Sequence, residues 1–357
     1  MFELAELTEP IVGAPMAGGP STPQLAIAVC EAGGLGFLAA GYRSTEAVRE
    51  QIAAVRAATA RPFGVNVFVP TSPPSAGERL RDYLRELEPE AERQGVELGA
   101  PRHDDDQYER KLELVCEQRV AVASFTFGCP SAEDVTRLHA AAVSAWVTVT
   151  AVQEAEQARA AGADALVVQG IEAGGHRATF DDDDRNQGLG LLALLALVRH
   201  AVALPLIATG AIGDGAAVAA VLCAGAAAAQ IGTALMLAPE AGTAPAHRAL
   251  LAQPIPTRLT RAFTGRLARG LVNRFLLEHS ATAPAAYPEV HHATSGLRAA
   301  ARKRNDGDAF NLWAGQAHEL AQARPAAETV RQLGHDARRR IRELSAASTR
   351  AADGGGG

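Results

Sequence analysis

Lysine is almost missing from this chain. Lys111 and Lys303 are its two examples, and arginine supplies the rest of the 34 basic residues. Against 40 acidic residues the formal net charge is −6, so the positive footprint of a nucleic-acid-binding protein is lacking. Cysteine is sparse as well. Cys30, Cys116, Cys129 and Cys223 lie far apart with no CxxC pair. That spacing argues against a disulfide framework or a zinc site and suits a reducing cytoplasm. The first residues, MFELAELTEP, show neither the basic nor the apolar region of a secretory leader. Long hydrophobic runs are wanting too. GLGLLALLALV is too short to cross a bilayer and GAAVAAVLCAGAAAAQIG is rich in Ala and Gly, so both read as buried helices and no membrane association is expected. The Gly-x-Gly-x-x-Gly fingerprint of a Rossmann dinucleotide site is also absent.

What the chain has is the balance of a well-packed globular protein, with 48% hydrophobic and 21% charged residues among 357. Short β-branched runs recur, each followed by an Ala-rich amphipathic segment. The runs are 10–18, 35–41, 63–70, 120–128, 145–150, 165–170, 205–213 and 227–237. Most are apolar nearly throughout, as parallel strands covered on both faces must be. Ser21 or Thr22 can cap the first helix, and Gly162 can end the one at AVQEAEQARAAGAD. Eight such units predict a (β/α)₈ TIM barrel over residues 1–239, with a doubly wound open sheet as the competitor. The charged stretch 71–106 predicts a helical insertion after the third strand. Residues 240–320 show no convincing strand, 240–345 predict a helical C-terminal extension packing on the barrel, and 346–357 a disordered tail.

In such a barrel the chemistry sits at the C-terminal strand ends. Those ends carry Met16, Asn66, Gln169, Gly210 after Thr209, and the run Gln230-Ile231-Gly232-Thr233. Amides and hydroxyls beside glycines suit a flat hydrogen-bonding cofactor head with a phosphate tail, since glycines let backbone N–H groups approach phosphate oxygens. Asn66 and Gln169 are placed to bond the edges of an isoalloxazine ring. The run ALVVQGIEAGGHRATF then carries one imidazole, His176, on a loop padded by Gly174 and Gly175. That histidine is expected to act as a base or hydrogen-bond donor over a flavin. His103, His139, His200, His247 and His318 fall in helical or charged surroundings and are expected on the surface. Arg298, Arg302, Lys303 and Arg304 read as a solvated helix face, with binding of a substrate carboxylate as the less favoured alternative. Tyr108 could reach the barrel mouth from the insertion. The DDDD run at 181–184 reads as a solvated loop rather than a metal site, and no metal is expected.

Taken together, GAPMAGGPSTPQLAIAVCEAGGLGFLAAGY, PFGVNVFVP, VASFTFGCPS, VVQGIEAGGHR, PLIATGAIGDG and QIGTALM resemble the nitronate monooxygenases, formerly called 2-nitropropane dioxygenases. The resemblance spans about residues 10–315 and includes TGRLARGLVNRF and NLWAGQA. It implies a TIM barrel with non-covalent FMN held at Met16, Asn66, Gln169, Gly174, Gly210, Gln230, Gly232 and Thr233, and His176 as the active-site residue. It implies oxidation of alkyl nitronates by O₂, with propionate 3-nitronate the default, to an aldehyde or oxo acid plus nitrite. No histidine follows the fifth strand, in VTVTAVQEA, so the chain sides with members whose histidine lies in a GGHR loop. The expected partners are a small nitronate and O₂, in a cytoplasmic monomer or homodimer. Two alternatives remain: an NAD(P)H-dependent FMN enoyl-ACP reductase and a non-catalytic flavin-binding barrel.

Overall fold

A computed structural model describes residues 1–73, 77–182 and 188–353, the last six as backbone only. In chain order its strands are β1 (Ile11–Gly13), β2 (Gly36–Ala39), β3 (Phe63–Phe68), β4 (Val122–Thr126), β5 (Ser144–Val149), β6 (Ala165–Gln169), β7 (Gly175–His176), β8 (Leu206–Thr209), β9 (Ala228–Ile231), β10 (Thr257–Thr260) and β11 (Ala268–Leu271). Eight of these form one parallel sheet in the order β1-β9-β8-β6-β5-β4-β3-β2. The ring closes where Val12 bridges Leu35: Gly13 N donates to Leu35 O at 2.9 Å and Leu35 N to Ile11 O at 3.0 Å. The predicted barrel is the observed one.

The apolar strands are buried almost throughout because helices cover the outer face and side chains fill the interior. Val12, Leu35, Phe37, Val122, Trp146, Val167 and Ile207 make the interior core, near the strand starts. Phe2, Leu4 and Leu7 pack beneath it, and Phe2 and Trp146 meet at 6.2 Å between ring centroids. The barrel is thus plugged at its N-terminal end and opens at the other. Short polar caps set the covering helices. Thr22 accepts from Leu25 N at 3.0 Å to start the helix Pro23–Glu31, and Asp214 accepts from Ala217 N at 2.8 Å to start Gly215–Cys223. In Thr45–Ala58, Val48, Ile52 and Val55 recur at helical spacing and are all buried against the sheet.

The insertion is helical, at Gly77–Glu86 and Glu88–Arg93. Its Tyr83, Leu87 and Ala91 pack on Phe263, Phe275, Leu276 and Val290 of the later chain. The expectation that 240–320 holds no strand is corrected. β10 and β11 pair antiparallel there, and β7 joins them as a third strand. They escaped notice because Thr-Arg-Leu-Thr and Ala-Arg-Gly-Leu carry arginines and a glycine where apolar residues usually announce a strand. The tail is corrected too: the helix Ala326–Asp353 runs on past residue 345. Pairs such as Arg339 Nη1–Glu343 Oε1 at 3.0 Å support it. Residues 354–357 lie outside the described residues. No described helix is long and apolar enough to cross a membrane.

Candidate active site

At the open end of the barrel lies a cavity of about 410 Å³. Met16, Asn66, Gln169, Gly174, His176, Gly210, Gln230, Gly232 and Thr233 all line it, so the structure gathers every residue singled out from the strand ends.

Each contributes differently. Asn66 Nδ2 donates to Ser124 O, Ser124 Oγ and Thr126 Oγ1 at 3.0–3.1 Å. The backbone carbonyl among those acceptors fixes which way the amide points and leaves Oδ1 as an acceptor. Gln169 spends most of its amide on the chain itself. Nε2 donates to His176 O at 3.0 Å, while Oε1 accepts from Arg177 Nη1 at 3.1 Å and Ala178 N at 3.0 Å. One N–H of Gln169 remains. The side chain of Gln230, on β9 between Val12 and Thr209, has no partner among the described residues. Gly174 is required by packing, because a Cβ there would lie 2.4 Å from Gly315 N. Gly210 and Ala211 have φ of 132° and 53°. The N–H groups of Ala211, Ile212 and Gly213, and of Gly232 and Thr233, have no hydrogen-bond acceptor among the described residues. Backbone amides bunched in this way, beside the start of the helix Gly215–Cys223, form a cradle for an anion. The unpartnered amides and this cradle fit a flavin head and its phosphate.

His176 does not ride on a free loop. Its two-residue strand β7 pairs with β11, Ala268 opposite His176 and Arg269 opposite Gly175. Nε2 lies 2.9 Å from Thr264 Oγ1. Phe127, Trp313 and Tyr287 surround the ring with centroids at 5.6, 5.4 and 6.0 Å. Burial, then the positive charges of Arg266 and Arg298, push its pKa down to about 3. The imidazole is therefore neutral at working pH.

The extension supplies residues that sequence reasoning missed. The helix Glu289–Lys303 turns His291, Ser295, Arg298 and Arg302 toward the cavity. Their i, i+4, i+7, i+11 spacing is a single helical face, a signal available in the sequence. The reading of Arg298 and Arg302 as solvated is corrected: Arg298 is 5% exposed, and its pKa is pushed down to about 9 by burial and by Arg302. Lys303 and Arg304 are exposed as expected. His247 and His318 are buried rather than on the surface, His247 in the cavity wall and His318 between Leu251 O and Ile255 O. Tyr108 does not reach the mouth. Its hydroxyl bonds Asp134 Oδ2 at 3.0 Å, and Tyr42 lines the cavity instead, stacked on His291 at 3.9 Å. Within the acidic run, Asp182 pairs with Arg261 at 3.1 Å, and Asp183 and Asp184 lie outside the described residues. No carboxylate lines the cavity among the described residues. A pocket with buried guanidinia and no acid favours anions.

A plugged parallel barrel whose open end holds unpartnered amides, an anion cradle and the neutral imidazole of His176 is the framework of a flavin-dependent oxidoreductase. Residues 2–336 match the nitronate monooxygenase family, and the chain belongs to that family. It is 40% identical to a nitronate monooxygenase of Paraburkholderia phytofirmans, covering 96% of each chain. It is also 40% identical to one of Pseudomonas aeruginosa, over 94% of this chain and 98% of the relative. A solved nitroalkane oxidase from Streptomyces ansochromogenes superposes with a TM-score of 0.93 at 48% identity, over 96% of this chain and 99% of that one. The chain is accordingly an oxidoreductase acting on nitronates.

Proposed function

We propose that the cavity binds FMN and that the chain oxidises an alkyl nitronate with O₂, propionate 3-nitronate being the expected substrate, to an oxo acid or aldehyde and nitrite. The observation that carries this reading is a neutral histidine in a cavity lined by Arg298 and Arg302 and by no carboxylate among the described residues. A base with a pKa near 3 is poorly matched to removing the α-proton of a neutral nitroalkane. A nitronate has already lost that proton and carries the charge the cavity favours.

The expected holders of the cofactor are Asn66 Oδ1, the free N–H of Gln169, Gln230 and Met16 at the ring, and the Gly210–Gly213 and Gly232–Thr233 amides at the phosphate. When bound, FMN supplies the one-electron and oxygen chemistry. The chain's own residues orient and shield. With the Thr264 hydroxyl donating to Nε2, the neutral His176 ring carries its proton on Nδ1 and donates that N–H to a nitro oxygen. Phe127, Tyr287 and Trp313 pack around the ring and lower the local dielectric, which strengthens a hydrogen bond made there. The four free cysteines suit the cytoplasm, where such an enzyme would act as a monomer or homodimer.

The test is aerobic turnover of propionate 3-nitronate, following O₂ uptake and nitrite with and without NADPH. Nitrite release without NADPH, lost in His176→Ala that retains yellow FMN, is the expected result. Colourless protein that FMN cannot reconstitute refutes the cofactor reading. Anaerobic bleaching of the flavin by NADPH, with no nitrite formed aerobically, replaces the proposal with a reductase.

A further inference from the structure

We propose that Arg298 and Arg302 are the specificity-determining residues of this site, forming a subsite for a carboxylate at the substrate end remote from the nitronate. The proposal rests on the nitronate reading above and assigns the residues that choose among nitronates.

The argument begins with charge. Both side chains line the cavity from one face of the helix Glu289–Lys303. Arg298 bonds only neutral acceptors: Nε to Thr294 Oγ1 at 3.0 Å, Nη1 to Asn311 Oδ1 at 3.4 Å, and Nη2 to His291 O at 2.9 Å and His291 Nδ1 at 3.2 Å. Arg302 Nη2 donates to the same Asn311 Oδ1 at 2.6 Å, and its guanidinium lies 5.2 Å from the Phe310 ring centroid. Neither has an ion-pair partner among the described residues. Two guanidinia therefore share one amide oxygen, with burial on one side and a cavity on the other. Like charges placed together without a counter-charge are destabilising, and an arriving anion relieves that cost.

Chemistry then selects the anion. Arg302 keeps Nε–H and several Nη hydrogens free, and Arg298 keeps one on Nη1. Two adjoining planar forks of this kind match the two oxygens of a carboxylate. A flavin phosphate has its own cradle of backbone amides at Gly210–Gly213 and Gly232–Thr233 and does not need this pair. His291 completes the wall. An arginine can only donate, so His291 Nδ1 accepts, and the neutral ring carries its proton on Nε2. That N–H, steadied by the stack on Tyr42, is a further donor beside the guanidinia.

The experiment compares kcat/KM for propionate 3-nitronate with that for propyl-1-nitronate, whose chain is uncharged. Arg302→Met keeps the apolar stem over Phe310, and Arg302→Lys keeps the charge. The methionine variant should lower the ratio about 30-fold, mainly through KM, the size expected for losing a charge-assisted contact. Turnover of propyl-1-nitronate, whose nitronate also feels the positive cavity, should fall far less than that of propionate 3-nitronate, flavin content and Tm should hold, and the lysine variant should recover part of the ratio. Butyrate, an unreactive carboxylate, supplies the readout independent of turnover. It should perturb the flavin spectrum of the wild-type holoprotein and bind at least tenfold more weakly to Arg302→Met, a drop that charge-assisted pairing requires. If neither nitronate turns over but butyrate binding follows Arg302, the nitronate reading fails and the anion subsite stands. An unchanged ratio with unchanged butyrate binding overturns the subsite. Loss of FMN from Arg302→Met overturns it as well, because the pair would then hold the phosphate.

Discussion

Gln169→Leu should damage the site through His176 more than through the cofactor, of which it removes one expected contact among several. Gln169 is 9% exposed, and its side-chain amide makes three hydrogen bonds to the segment that carries the imidazole, at His176 O, Arg177 Nη1 and Ala178 N. Leucine fills nearly the same volume but answers none of them. Arg177 keeps Gln169 O and Gly170 O at 3.3 and 2.7 Å, so its guanidinium is not stranded. The loss falls on the Ala178 N–H, whose one acceptor is the Gln169 side chain, and on one bond to His176 O. Two such buried groups together cost roughly 2–4 kcal/mol. For a chain of this length each kcal/mol lowers Tm by about 1–2 °C, so a fall of about 4 °C is expected in differential scanning calorimetry. Release of β7 also lets the ring drift, and a displacement near 1 Å is worth about 100-fold in rate. The assay is kcat and KM on propionate 3-nitronate beside flavin content, and the loss should sit in kcat while the protein stays yellow. Gln169→Glu restores the acceptor toward Arg177 and Ala178 but not the donor to His176 O, so it should recover most of the Tm and little of the kcat. A Gln169→Leu protein that melts within 1 °C of wild type with normal kcat refutes the reasoning.

Thr264→Val removes the hydroxyl beside His176 Nε2 while keeping shape; kcat should fall about tenfold at unchanged flavin content, and an unaltered kcat shows that the 2.9 Å contact does not orient the ring. Gly174→Ala puts a methyl onto the Gly315 backbone, where no side-chain rotation relieves it, so the variant should lose several kcal/mol of stability and bind flavin poorly, by melting and absorbance at 450 nm. On acidification the unfolded chain takes up protons below the ordinary histidine pKa of 6.5, while folded His176 and His247 stay neutral down to about 3 and 4. Stability should therefore decline steadily from pH 6.5 toward pH 4, and Tm should change less in His247→Gln; a flat Tm over that range contradicts the burial of both rings. Arg274→Met strips the fork that holds Glu90 at 2.8 Å through both oxygens, and because Arg93 remains at 2.6 Å the cost should be about 2 kcal/mol, less than for a fully stranded buried carboxylate.

The barrel was legible because parallel strands covered on both faces leave long apolar words in the sequence, and their ends point to one mouth. Asn66, Gln169, Gln230 and the two glycine-rich endings were found for that reason. The role of Gln169 was not. An amide at a strand end looks the same whether it faces a ligand or ties down the next loop, and only the contact with His176 O tells them apart. β10 and β11 were hidden because their stability comes from pairing with each other, from β11 pairing with β7 and from the bridge of Gly270 to Trp313, not from their own composition. Arg298 and Arg302 were misjudged because one helix presents charge on two faces. Lys303 and Arg304 meet water, whereas the pair one turn apart meets the cavity, and composition alone cannot separate the faces.

The pairing of β7 with β11 divides labour along the chain. With FMN seated at the strand ends as proposed, the ring of strands grips the coenzyme, while the stretch that follows it chooses what is brought to that coenzyme and holds the imidazole between them. Drift within the helix Glu289–Lys303 can then retune substrate preference without disturbing the flavin. Drift within Thr257–Leu271 cannot, because any shift there moves His176. New selectivities in relatives should accordingly accumulate on the helix, and the short ribbon beside it should stay nearly fixed.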